Sequence, residues 1–148
     1  MLITSLAYIF NNDRILMLKC LKQNDNYNKY LGLGGKLKKD ESIDECMLRE
    51  VKEESNLLAT DYQKVGIINF YNTNYHEQMH LYRIDKYDGT LKGNSEGILE
   101  WININDIFSL NLWEGDKVFL PRLINKETDI NLDLYYSNDL LIDYKERI

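Results

Sequence analysis

The chain has 148 residues, a formal charge of −6 and a pI near 4.9. That length suits one domain, over residues 1–148, burying roughly two-thirds of its unfolded surface, and no run approaches the roughly 18 apolar residues of a membrane helix. The acidic balance argues against a protein whose main work is gripping a nucleic-acid polymer, which needs clustered Lys and Arg. An anionic small-molecule substrate would have to be met through a cation. The opening MLITSLAYIF has no basic leader or small-residue cleavage site, so a cytoplasmic protein without a membrane partner is expected, as monomer or homodimer. Cys20 and Cys46 lack CxxC or His spacing and read as buried thiols.

Leu2–Phe10 and Arg14–Cys20 are apolar runs separated by Asn11-Asn12-Asp13, the composition of a hairpin. Residues 21–30 show no period and predict an exposed loop ending at a glycine-rich turn, Leu31-Gly-Leu-Gly-Gly-Lys36. From Ser42 the period becomes helical, with Ser42 and Glu45 spaced as a capping box, and Asn56 supplies a left-handed stop after about four turns. Lys64–Tyr71, Gln78–Ile84 and Ile98–Ile104 read as strands, and Asp106–Leu110 as a short helix. Asp116–Lys126 reads as a second helix interrupted early by Pro121, and Asn131–Tyr136 with Leu140–Tyr144 as a closing hairpin. Strands with two helices interspersed, without regular βαβ alternation, predict an α+β domain with a mixed sheet.

The chemistry concentrates between Gly35 and Leu57. On a helix Glu50, Glu53 and Glu54 stand at i, i+3 and i+4, so three like charges share one face near the C-terminal end, where the macrodipole also disfavours them. A solvated acidic face is one explanation. A platform for a hard divalent cation is the other, because Mg²⁺ takes carboxylate and phosphate oxygens. The glycines just ahead favour the platform, since their backbone can approach a ligand closely and lend a carbonyl, that of Gly34, to a metal.

The segment resembles the Nudix box, Gly-x5-Glu-x7-Arg-Glu-U-x-Glu-Glu-x-Gly-U, where U is bulky and aliphatic. Gly35, Glu41, Arg49, Glu50, Val51, Glu53, Glu54 and Leu57 occupy the fixed positions, and Asn56 stands where the family has Gly. The resemblance implies a Nudix fold, a mixed sheet sandwiched between helices. It also implies that Glu50, Glu53 and Glu54 bind Mg²⁺, with Mn²⁺ as the alternative ion, that Arg49 orients one of these carboxylates, and that Glu41 supports the network. Glu54 is the first choice of general base, and Glu96, in the loop before Ile98, the second.

Outside the box, Tyr30–Lys36, Gly97–Trp101, Asn111–Asp116 and Leu141–Tyr144 resemble the MutT-type 8-oxo-dGTP diphosphatases. That likeness implies cleavage of a purine or oxidised-purine nucleoside triphosphate to monophosphate and pyrophosphate. It further implies that Trp113 stacks on the base and Asp116 bonds its edge. Two positions depart from the group: an Asn of some members is Leu31, and one of two neighbouring acids is Gly115. Without the resemblance, Trp113 would be placed in the core beside Leu110 and Leu112. Tyr27 and Tyr30 are candidates for the pocket mouth, Lys19 and Lys36 for phosphate contacts, and His76 and His80 carry no assignment. The alternatives are a Nudix hydrolase of another nucleoside diphosphate derivative, a Nudix-fold nucleotide sensor without catalysis and, most remotely, a diphosphate isomerase.

Overall fold

The computed structural model describes residues 1–147. β1 (Leu2–Asn11) and β2 (Arg14–Cys20) form the expected hairpin, turned by Asn12 in the left-handed region at φ 55°. β1 alternates in a way that places it at the centre: Ala7 and Ile9 are buried on one face, Tyr8 and Phe10 on the other. It pairs antiparallel with β2 only at its C-terminal end, antiparallel with β4 (Leu33–Lys36) along Thr4–Ala7, and parallel with β6 (Tyr75–Asp88). The remaining strands are β3 (Tyr30–Leu31), β5 (Leu58–Asn72), β7 (Gly97–Asn103), β8 (Ile130–Ser137) and β9 (Leu140–Glu146). The sheet runs β3-β2-β1-β6-β5-β8-β9, with β4 on β1 and β7 on β2. It is mixed, because β5 and β8 also run parallel.

α1 (Ile43–Ser55) covers one face. Its N-cap is Ser42, which accepts from the Glu45 amide while the Glu45 carboxylate accepts from the Ser42 amide, and Asn56 follows at φ 66°. Met47 and Val51 pack on Ala7, Ile9, Leu33 and Tyr82. Each such side chain contributes about 1.5–3 kcal/mol, against a few tenths for each like-charge pair on the opposite face, so burial decides that the helix forms. α2 (Asp116–Ile124) covers the other face, with Phe119, Leu120 and Leu123 against Tyr8, Phe10, Leu132 and Leu134. One helix on each face of a mixed sheet is the predicted α+β sandwich.

Three local expectations are corrected. The glycine-rich stretch is a strand: a Cβ at Gly34 would stand 1.9 Å from the Ser5 carbonyl oxygen, so only glycine lets this strand approach β1 so closely. β5 starts at Leu58 rather than Lys64, because register shifts near Ala59 and Asp61 carry the polar stretch into the ladder and break the alternation that would reveal it. α2 ends at Ile124 and passes through Pro121, held by its buried apolar face and preceded by tight turns in which Asp116 and Lys117 amides reach Trp113 and Glu114 carbonyls.

The Asn56 side chain donates to the Thr90 carbonyl at 2.8 Å and accepts from Lys52 at 3.2 Å. Asn56→Gly gains backbone ease but loses both contacts, and is expected to be neutral within about 0.5 kcal/mol. Asn56→Val, strained at positive φ, is expected to cost roughly 1 kcal/mol or more in urea unfolding.

Candidate active site

A cleft of about 750 Å³ opens along the β1–β4 seam and runs to the start of α2. At one end α1 lies so close to β4 that a Cβ on Gly35 would stand 2.4 Å from the Glu50 carboxyl carbon, and the Gly34 amide donates to Glu54 at 2.9 Å. The glycines therefore set the distance between the acidic ridge and the cleft wall. The Gly34 amide is the group that holds Glu54, and its carbonyl is the one the sequence offers to a metal.

Arg49 organises the ridge. Its guanidinium grips Glu41 with two bonds of 2.7 and 3.0 Å, reaches Glu50 at 2.7 Å and Glu53 at 3.3 Å, and donates to the Lys36 carbonyl at 3.1 Å. The fork holds the Glu41 carboxyl down at about 2. Glu54 behaves oppositely. Burial pushes it up to about 8, the Gly34 amide pulls the other way, and the Glu96 and Glu50 charges add to the rise.

A buried acid that keeps its proton near neutrality, first because it is buried and then because carboxylates stand near it, marks a place short of positive charge. The donor set, all hard oxygen, fits a divalent cation of the Mg²⁺ or Mn²⁺ kind. Among the described residues no three acidic, His or Cys side chains stand together at metal-holding spacing. Arg49 draws Glu50 and Glu53 toward itself, and Glu54 turns to Gly34.

Glu96 reaches this end through a residue that sequence reasoning passed over. Asn94 donates to the Glu54 carbonyl at 2.5 Å and accepts from the Glu96 amide at 2.7 Å, tying the loop to the end of α1. The Glu96 carboxylate pairs with Lys22 at 2.7 Å.

The other end is aromatic. Trp113 meets Phe70 and Tyr136 edge to face, with centroids 5.8 and 5.4 Å apart, and its indole N–H donates to Asn26 at 2.7 Å. Lys29 lies over the indole ring, 4.8 Å from its centroid. Further bonds join the same loop to this segment: Asn111 donates to the Asn28 carbonyl and the Tyr30 amide to the Asn111 carbonyl, both at 2.9 Å. The loop of residues 21–30 thus roofs the cleft through Asn24, Asp25 and Asn26, none of which stood out in the sequence. Trp113, Asp116 and Leu31 all line the cleft, while Lys19, Lys36, Tyr27 and Tyr30 do not. Lys19 lies over the Tyr30 ring at 5.9 Å, and Tyr30 packs against the core. His76 and His80 lie on β6 outside the cleft lining and bond Asn69 and Gln78.

Asp116 is 8% exposed, and burial pushes its carboxyl up to about 7, with the Lys29 charge pulling it back. Between the unfolded value near 4 and this one the folded state holds a proton that the unfolded chain has lost, so stability falls as pH rises through that window. Asp116→Asn should therefore melt near the wild type at pH 4 and roughly 10 °C higher at pH 8, without nucleotide. Parallel melting curves at the two pH values would contradict the burial.

Residues 2–123 match the family model of the NUDIX domain. The chain belongs to the Nudix family. It is a Nudix hydrolase, of a class that acts on nucleotides and generally uses divalent metal ions. It is similar to curated proteins named oxidized purine nucleoside triphosphate hydrolase. The one from Danio rerio is 27% identical over 143 residues, 95% of this chain and 91% of the relative. The one from Mus musculus is 28% identical over 145 residues, 97% and 92% respectively. Among solved structures, a mutator MutT protein from Bacillus halodurans superposes with a TM-score of 0.88 at 20% identity, over 98% of this chain and 97% of that one, a likeness of fold. Among the described residues no helix of this Nudix hydrolase is long and apolar enough to cross a membrane.

Proposed function

We propose that this Nudix hydrolase cleaves purine nucleoside triphosphates to monophosphate and pyrophosphate, with 8-oxo-dGTP as the leading substrate. The observation that carries the reading is the single cleft joining Gly34 and Gly35, backed by Glu54 and Glu50, to Trp113 and Asp116. A planar base seated at the aromatic end leaves its polyphosphate directed at the acidic end. The names of the Danio rerio and Mus musculus relatives support the same class.

Mg²⁺ held by Glu50, Glu53 and Glu54, with the Gly34 carbonyl, would supply Lewis-acid neutralisation of the phosphate oxygens. The chain's own groups do the rest. Arg49 keeps Glu50 and Glu53 in place through bonds that Glu41 anchors. Glu54, in its ionised form, takes the proton of the attacking water. Glu96, opposite Glu54, is the alternative base. Trp113 offers an aromatic surface to the base, and Asp116 a hydrogen-bond partner for its edge. Leu31 offers none, so the preference for 8-oxo-dGTP over dGTP and dATP is expected to be modest.

The test is a panel of nucleoside triphosphates, nucleoside diphosphate sugars and dinucleoside polyphosphates incubated with the protein and Mg²⁺, with products separated by ion exchange. Purine triphosphates should be cut fastest. Cleavage confined to sugar diphosphates would overturn the assignment of the base pocket.

A further inference from the structure

Tyr8 stands on the central strand and is only 1% exposed, yet its side chain lines the cleft. Its ring lies directly under Gly32, where a Cβ would come within 2.8 Å of the phenol carbon Cζ. The Gly32 backbone thus lies against the carbon that bears the phenolic oxygen, and the O–H is free to donate into the cleft. Leu134, Leu6 and Met79 belong to the core cluster that holds Tyr8 and line the same cleft. Asp116 is a second buried polar group of this end, lining the same cleft.

A hydroxyl left free at the floor of a cleft bonds a group of the ligand that reaches it. The floor of the pocket therefore offers a donor, Tyr8, and an acceptor, Asp116. That pair is the complement of a lactam, a ring N–H beside a ring C=O. Guanine, hypoxanthine and 8-oxoguanine carry this edge at positions 1 and 6. Adenine carries an amine at position 6, and with the ring held against the Trp113 wall and the triphosphate directed at the acidic end, that amine would confront the Tyr8 donor. The sequence compensates in space for what it lacks at Leu31.

We propose that Tyr8 is a base-reading residue: its hydroxyl donates to the 6-oxo group of the purine while Asp116 takes the neighbouring N–H, so the enzyme selects 6-oxopurine over 6-aminopurine nucleotides. This rests on the base seating at Trp113 proposed above. The role is one of substrate contact, which a merely structural tyrosine would not have.

The experiment compares the wild type with Tyr8→Phe in Mg²⁺ on dGTP, dITP and dATP, and separately measures GMP and AMP binding through tryptophan fluorescence. Tyr8→Phe should lower kcat/KM for dGTP and dITP by roughly tenfold, mainly through KM, while dATP changes by less than about twofold. The advantage of GMP over AMP in binding should shrink by a similar factor. Equal losses on all three triphosphates, no loss at all, or a wild type that binds GMP no better than AMP would overturn the inference. A partial loss of fold leaves the ratio between nucleotides unchanged, so the ratio decides even if the variant is less stable. Should the wild type cut no triphosphate, the proposed reaction fails, and the GMP and AMP affinities of the two proteins still decide the role of Tyr8.

Discussion

Glu54→Gln is expected to lower turnover by about 10²–10⁴ while the protein stays folded. The glutamine is isosteric, and its carbonyl oxygen can still accept the Gly34 amide now bound by Glu54 at 2.9 Å. What disappears is the charge that faces the substrate and the group that takes a proton. The same substitution removes a buried acid that Glu50 and Glu96 already crowd, so the metal-free variant should melt at or above the wild-type temperature. Steady-state kinetics in Mg²⁺ with melting curves in chelator tests both halves. Near-wild-type turnover would move the base role to Glu96, and a clear fall in melting temperature would argue against crowded carboxylates.

Trp113→Ala is the second large effect, expected in KM rather than kcat. Stacking between a base and an aromatic side chain is worth about 1–3 kcal/mol, which corresponds to a rise in KM of roughly 5- to 150-fold. The ground state and the transition state share that contact, so kcat should change by less than about threefold. The indole also anchors the roof loop through Asn26, and Trp113→Phe separates the two contributions by keeping a ring and losing the N–H. Trp113→Phe should recover most of the loss if stacking dominates and little if the Asn26 bond does. An unchanged KM in Trp113→Ala for every purine nucleotide would remove the base from this end of the cleft.

Much of the acidic end was legible in the sequence because it is built on one helix, where spacing alone fixes which side chains share a face. Ser42, Glu45 and Asn56 marked that helix, and the structure places its ends at the residues they cap. The glycines ahead of it were legible as a place of close backbone approach, though not as a strand, since two-residue pairing partners such as Leu6 and Gly34 lie far apart in the chain. Tyr8, Asn26, Phe70, Asn94 and Tyr136 stayed hidden for the same reason. Each meets the cleft or its acids across 21 residues or more, and nothing local distinguishes Tyr8 from any apolar-alternating strand position. Lys19 and Lys36 were attractive by proximity in sequence to the glycines, but strand alternation and the exposed end of β4 leave them outside the cleft lining.

The most direct measurement is the identity of the products formed from 8-oxo-dGTP and dGTP in Mg²⁺, followed by ion exchange with and without chelator and with Glu54→Gln alongside. The account predicts 8-oxo-dGMP and dGMP, each with one equivalent of pyrophosphate, abolished by chelator and nearly abolished in the variant. Release of inorganic phosphate with the nucleoside diphosphate, or product formation undiminished in chelator, would contradict it.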